Sequence, residues 1–283
     1  MWNNGYMFDL TVKKQINLSK FLCEETGLPF SLINKKIREK QVLVNGVRIK
    51  ENVLLSPGDN IKLFASEKKY DFNKIYEDDN LLIIVKPKGI ESVSDENDSA
   101  EKQLAKTYEF IKAVHRLDRN TEGLLMFAKN KKTEKLLIEA IKKHEIEKIY
   151  HAFVFGTPQK KEQTAVAYLR KNEKASTVMI FDEQVPKSEQ IITKFKTIKQ
   201  NGEISLVEIN LVTGKTHQIR AHLAHLGFPV VGDSKYGDSK MNKKYKKTKQ
   251  ELYATEIKFH ITNELNYLNK LKISYTPNVE NKD

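Results

Sequence analysis

The residues with the clearest capacity for chemistry form one run, His115-Arg116-Leu117-Asp118-Arg119-Asn120-Thr121-Glu122-Gly123, followed by the apolar Leu124-Leu125-Met126-Phe127-Ala128. Asp118 has one arginine two residues before it and another directly after it. Neighbouring cations favour an ionised carboxylate, and a carboxylate held that way can serve as a nucleophile or as a base. The Asn-Thr-Glu-Gly that follows reads as a loop and the apolar run as a buried strand, which sets Asp118 at the mouth of a sheet. Taken alone, the run has a plain alternative: a loop aspartate that pairs with an arginine and does nothing else.

Only six of the 49 basic residues are arginine, namely Arg38, Arg48, Arg116, Arg119, Arg170 and Arg220. In a chain that uses lysine so heavily, an arginine marks a position that needs a planar fork. Half of the six lie in the run around Asp118 or in Gly214-Lys215-Thr216-His217-Gln218-Ile219-Arg220. Tyr150, in Lys148-Ile149-Tyr150-His151-Ala152, offers a ring face and a hydroxyl. Each has a bland reading, Tyr150 as core on an apolar strand and Arg220 as a surface ion pair on an amphipathic helix.

A net charge of +12 suits a polyanionic partner, with a merely solvated basic surface as the alternative. The single Cys23 excludes a disulfide framework and a cysteine metal site and fits a reducing compartment. His217, His222 and His225 lack the intervening Glu of a His-Glu-x-x-His helix, so no metal is expected. No Gly-x-Gly-x-x-Gly follows a strand and no Walker loop occurs, so no cofactor is expected either. The N-terminus lacks a basic region followed by an apolar core, and the longest aliphatic run, residues 81–85, is too short to span a bilayer. A soluble cytoplasmic protein without membrane contact is the expectation.

The elements that must position these residues divide into two groups. Residues 17–26 carry Leu18, Phe21 and Leu22 at helical spacing and stop at Gly27 and Pro29. A second helix, capped by Ser31, buries Ile33 and Ile37 and surrounds them with Lys35, Lys36, Arg38 and Lys40. Two β-prone arms around Asn45-Gly46 predict a hairpin, and Pro57-Gly58 turns the chain into a strand at residues 61–64. Residues 65–74 read as a linker, with a second domain beginning at Ile75. There, strands are expected at residues 81–85, 148–156, 191–198, 205–212 and 252–261. Helices are expected around Leu136, Leu137, Ala140 and Ile141, and from Thr216 to a stop at Gly227, while the lysine-rich residues 240–249 read as a solvated loop and those from Pro277 as a polar tail. Residues 90–110 are acidic and carry no assigned role, and no internal repeat is present.

Four segments in order resemble the RluA-type pseudouridine synthase family. They are Lys86-Pro87-Lys88-Gly89; the run at Asp118, similar to the family's His-Arg-Leu-Asp-x-x-Thr-Ser-Gly; Lys148-Ile149-Tyr150-His151-Ala152; and Gly214 to Arg220 continuing through Gly227-Phe228-Pro229 to Gly232-Asp233. The chain departs from the pattern at Glu122, where the family has Ser, and lacks the longer His-Pro segment after the first motif. Residues 12–65 resemble the small RNA-binding module named after ribosomal protein S-four, an ordinary α+β appendage being the alternative.

The resemblance implies an α+β protein. A small helix-helix-sheet RNA-binding domain at 12–65 would precede a mainly antiparallel mixed-sheet catalytic domain at 75–275. It implies cofactor-free isomerisation of uridine in RNA by a monomer, with ribosomal RNA of the large subunit as substrate and tRNA still open. Asp118 carries over as nucleophile or base, Tyr150 as the tyrosine stacked beneath the target base, and Arg220 as the partner holding Asp118 in a bidentate fork. Arg116 would enter the RNA helix as the base leaves it, and Lys35, Lys36, Arg38 and Arg48 would contact RNA. Two rivals stand beside this reading. One is a non-catalytic RNA-binding or ribosome-assembly factor on the same fold, which Glu122 would suit. The other is a nucleoside or glycoside hydrolase, which needs a second carboxylate roughly 5 to 9.5 Å away.

Overall fold

A computed structural model describes residues 6–64, 70–95, 98–158, 161–172 and 175–278. Two units emerge, Met1–Lys69 and Tyr70–Asp283. Residues 65–69 of the expected linker lie outside the described residues, and Asn73 and Lys74, also expected in it, begin a strand of the second unit.

The first unit contains β1 (Tyr6–Thr11), β2 (Ile16–Asn17), α1 (Leu18–Thr26), α2 (Phe30–Arg38), β3 (Val42–Val44), β4 (Val47–Ile49), β5 (Leu54–Leu55) and β6 (Asn60–Phe64). Its main sheet runs β1-β6-β3-β4. The hairpin between β3 and β4 turns at Asn45 and Gly46, whose φ values of 50° and 82° are those a tight two-residue turn requires. Leu18, Phe21 and Leu22 of α1 pack with Ile33 and Ile37 of α2 over Ile61 and Leu63. Ser31 does not cap α2: the helix starts at Phe30 with Pro29 in the cap position, so Ser31 lies inside the first turn.

The second unit comprises β7 (Asn73–Glu77), β8 (Leu81–Lys86), α3 (Ala100–Leu104), β9 (Lys112–Ala113), β10 (Glu122–Ala128), α4 (Lys131–Lys142), β11 (Ile146–Phe155), β12 (Glu162–Asn172), β13 (Thr177–Phe181), β14 (Glu189–Asn201), β15 (Ile204–Leu211), α5 (Gln218–His225), α6 (Ser239–Lys244), β16 (Leu252–Phe259) and β17 (Ile273–Ser274). The sheet order is β13-β12-β14-β15-β11-β16-β10-β8-β7, with β17 on β16 and β9 on β10. Its pairs are antiparallel except β10 with β16.

The apolar runs of β8 and β10 are continuous because both faces of the sheet are covered. Leu82, Ile84, Leu125 and Phe127 face one core with Leu117, Tyr150, Ile219 and Leu223, whereas Leu81, Ile83, Leu124, Met126 and Ala128 face the other beneath Leu137 and Ala140 of α4. Each fully buried aliphatic side chain contributes about 1.5–3 kcal/mol. Two departures from expectation have plain causes. β12 and β13 occupy residues with no expected strand: β12 is mostly exposed or half-buried and β13 is only five residues long, so neither shows a strong apolar run. The lysine-rich stretch contains α6, nucleated by Asp238, whose side chain accepts the N–H groups of Lys240 and Met241.

Candidate active site

The loop carrying Asp118 is held by backbone and side-chain bonds on both flanks. Ser92 Oγ accepts the Leu117 N–H at 2.9 Å and donates to the Leu117 carbonyl at 3.0 Å. Residues 90–110, without a role in the sequence, thus supply a clamp one residue from Asp118. Lys86, fully buried, donates to the carbonyls of Pro87, Ile90 and Arg119, and the Gly89 N–H meets Arg119 O at 2.8 Å. Burial pushes the Lys86 pKa down to about 7, with Asp118 and Glu122 opposing. His115 Nε2 accepts the Met126 N–H, tying the start of the loop to β10.

Glu122 opens β10 and accepts a hydrogen bond from Tyr275 Oη at 2.5 Å. The departure at this position therefore ties the loop strand to the segment after β17.

Neither flanking arginine is the partner of Asp118. Arg119 Nε donates to Gly89 O, Arg116 is exposed at the cleft, and it is Arg220 Nη1, from the first turn of α5, that reaches Asp118 Oδ2 at 2.8 Å. The expected fork is also placed elsewhere. Arg220 Nε and Nη2 grip Asp233 Oδ2 and Oδ1 at 2.7 and 2.9 Å, so the bidentate pair is with Asp233 and Asp118 receives a single bond. Asp233 is 1% exposed and accepts the N–H groups of Lys235 and Tyr236. Burial opposes its ionisation, yet Arg220 and those two amides hold its carboxyl below the usual range. Burial likewise disfavours the Arg220 charge, and the bonds to Asp233 and Asp118 outweigh it and raise its pKa.

The register shifts between Ile149 and Tyr150, where β11 pairs with β16, and such an irregularity can re-aim a side chain within a sheet. Tyr150 is 4% exposed, and burial, then the nearby Asp118 charge, raise its hydroxyl pKa. Arg116, Asp118, Tyr150, His217, Arg220 and Leu252 line one open cleft. His217, which sequence reasoning weighed only as a metal ligand, has Nε2 4.0 Å from Asp118 Oδ2. The other two histidines are elsewhere: His222 Nδ1 meets Thr193 Oγ1 in the core and His225 pairs with Asp182. Among the described residues, no cluster of His, Cys, Asp and Glu is placed to hold a metal ion.

The four basic residues of the first unit occupy mixed settings. Arg38 is exposed and Lys35 half-buried at the end of α2. Lys36 Nζ reaches Gln41 Oε1 and Phe64 O, and burial lowers its pKa. Arg48 bonds Lys40 O and lies over the Phe64 ring. Of the residues that matter in the cleft, Asp233 was missed as a partner although it ends a recognised motif, and Ser92 carried no signal in the sequence.

The large, mostly antiparallel sheet belongs to a fold that solved structures share. The chain is similar to Human RNA Pseudouridylate Synthase Domain Containing 1, with a TM-score of 0.61, 24% identity, and coverage of 73% of this chain and 83% of that one. Human RNA Pseudouridylate Synthase Domain Containing 4 gives a TM-score of 0.60 at 18% identity, covering 72% and 88%. Residues 80–225 match the family model described as RNA pseudouridylate synthase. Among curated proteins, Ribosomal large subunit pseudouridine synthase C of Buchnera aphidicola is 33% identical over 259 residues, 82% of this chain and 81% of that protein. The protein of the same name from Haemophilus influenzae is 34% identical over 245 residues, 78% and 75%. The chain belongs to the RNA pseudouridylate synthase family.

Proposed function

We propose that this chain converts specific uridines of large-subunit ribosomal RNA to pseudouridine, with Asp118 as the reacting carboxylate. The observation that carries the reading is the asymmetry of that carboxylate. Asp118 lines the cleft, Arg220 Nη1 bonds its Oδ2 at 2.8 Å with His217 Nε2 4.0 Å from the same oxygen, and among the described residues Oδ1 has no hydrogen-bond partner. The relatives' names supply the ribosomal substrate.

The reaction breaks the bond from the ribose to a ring nitrogen and rejoins the ribose to a ring carbon. No atom or electron enters or leaves, so the chemistry calls for a nucleophile or base, a way to hold the base, and a way to extrude it. Asp118 Oδ1 either attacks the anomeric carbon or takes a ribose proton, two routes open to a carboxylate. Tyr150 offers a ring face beneath the base and a hydroxyl for the proton that shifts on it. Arg116, exposed and lining the cleft, would fill the gap the extruded base leaves, a step costing a few kcal/mol. On this reading the active species is a monomer. The first unit, with Lys35, Lys36, Arg38 and Arg48, serves as an RNA-binding module, and we place the activity in the cytoplasm. No helix among the described residues is long and apolar enough to cross a membrane.

A hydrolase would need a second carboxylate free to activate water. Asp233, the carboxylate that shares Arg220, is buried and committed to the guanidinium and two amides. The test is to incubate the protein with unmodified ribosomal RNA and tRNA and map pseudouridine in each. Discrete sites in large-subunit RNA are expected. Modification of tRNA alone would redirect the substrate, and none in either would refute the reading.

A further inference from the structure

One further side chain in the cleft faces the carboxylate oxygen that Arg220 holds. His217 precedes α5 with φ 55°, a left-handed backbone that costs a non-glycine residue on the order of 1 kcal/mol and persists only where its surroundings impose it. Tyr236 is part of those surroundings. Its hydroxyl lies 2.9 Å from His217 Nδ1, and its ring meets the imidazole edge-on.

The protons can be counted. The Val178 N–H donates to Tyr236 Oη at 2.8 Å, and among the described residues His217 Nδ1 is the one acceptor within reach of the Tyr236 hydroxyl hydrogen. A neutral imidazole accepts at one nitrogen and donates at the other. With Nδ1 accepting, the proton sits on Nε2, the atom 4.0 Å from Asp118 Oδ2.

We propose that His217, fixed as its neutral Nε2–H tautomer by Tyr236, is a positioning residue that shares Asp118 Oδ2 with Arg220 and so presents Oδ1 to the substrate. The inference rests on the reading of Asp118 as the reacting group. At 4.0 Å the two atoms lie beyond hydrogen-bond distance, so the bond forms only as substrate fills the site and the contact closes. A neutral donor suits the task because it orients the carboxylate without adding a second full positive charge beside Arg220. Protonation would undo the arrangement: a hydrogen on Nδ1 displaces the Tyr236 bond, and an imidazolium competes with Arg220 for Oδ2.

The charged and titratable groups facing His217 are Asp118, Arg220, Asp233, Lys235 and Tyr236, with Lys215 on the same cleft. Burial leads in holding the imidazole below its ordinary value, Arg220 and Lys235 reinforce it, and Asp118 and Asp233 oppose it. The neutral form therefore prevails at neutral pH and is lost only in acid.

Single-turnover pseudouridine formation on unmodified large-subunit ribosomal RNA, measured from acidic to mildly alkaline pH, tests this. His217→Leu, which removes the donor, is expected to slow the reaction at least about 30-fold with an unchanged RNA dissociation constant. His217→Gln, whose amide N–H reaches a similar place without titrating, should stay within about tenfold of the parent, with its acid limb moved to lower pH. Heteronuclear NMR of the histidine ring nitrogens should show Nε2–H in the parent and a tautomer mixture in Tyr236→Phe. His217→Leu within a few-fold of the parent, an unmoved acid limb in His217→Gln, or an Nδ1–H parent would each overturn the proposal. A parent chain that forms no pseudouridine in any RNA would instead overturn the activity reading, and the ring-nitrogen signals would still decide the tautomer.

Discussion

Arg220 spends three N–H groups on two carboxylates, Nε and Nη2 on Asp233 and Nη1 on Asp118. Lysine has a single nitrogen and cannot span both. Arg220→Lys is therefore expected to lower the single-turnover rate by at least about 100-fold, the order of loss a misplacement of about 1 Å produces at a reacting centre, with RNA affinity unchanged. A lysine variant within a few-fold of the parent would show that charge alone suffices. Lys86 gives a test by pH. Its pKa is about 7 in the folded chain and about 10.4 when unfolded. Across that window the unfolded chain binds a proton that the folded chain does not, so the Lys86 contribution to stability rises with pH. Lys86→Met also removes a donor from three carbonyls; Arg119 O keeps the Gly89 N–H, whereas the buried Ile90 O loses its Lys86 donor, at about 1–3 kcal/mol. The gap in unfolding free energy between parent and variant should widen from pH about 7 upward in denaturant titrations; a constant gap would contradict this. At this scale the meeting of Asp118, Tyr150 and Arg220 in one cleft was legible, because ordered motifs mark all three. Their partners were not. Residue types along a chain do not say which of two carboxylates receives the fork, and Ser92 became a clamp only through packing against Leu117.

β10 carries the Asp118 loop into the sheet, and its one parallel pairing, Glu122 with Tyr253 and Gly123 with Ala254, fixes where that loop emerges. Gly123 has φ 126°, and a Cβ there would lie 2.1 Å from Ala254 O. Gly123→Ala must push β10 away from β16, so a loss of more than about 3 kcal/mol is expected by thermal or denaturant unfolding. Gly89→Ala is the control, since a Cβ there meets nothing within 4 Å and only its φ of 92° is strained; about 1 kcal/mol is expected. Equal losses at the two glycines would contradict the close approach. The central strands could be read because both their faces are buried and their apolar runs are unbroken. β12, with its mixed exposure, and α6, six residues long, lack a period strong enough to show in sequence.

For the molecule as a whole, the division into Met1–Lys69 and Tyr70–Asp283 sets the basic residues of α2 and the β3–β4 hairpin in a different unit from the cleft. If the first unit engages phosphates, residues 70–283 alone should bind RNA more weakly and with a shallower fall of log K against log salt, by about 0.7–0.9 for each phosphate that the first unit neutralises. Equal slopes for the full and shortened chains would argue against an RNA-binding role for that unit. The order of elements in the first unit was legible, whereas the engagement of Lys36 and Arg48 with their own unit was not, since lysine and arginine read alike whether they point at solvent or at a neighbouring carbonyl. The central claim is that Asp118 carries out uridine isomerisation, and Asp118→Asn tests it most directly, because the amide keeps the shape of the side chain and loses its capacity as nucleophile or base. With unmodified large-subunit ribosomal RNA under single-turnover conditions, the parent should form pseudouridine at discrete sites and the variant none, while both bind the RNA with similar affinity. Pseudouridine formed by the variant at a rate near the parent's would contradict the account.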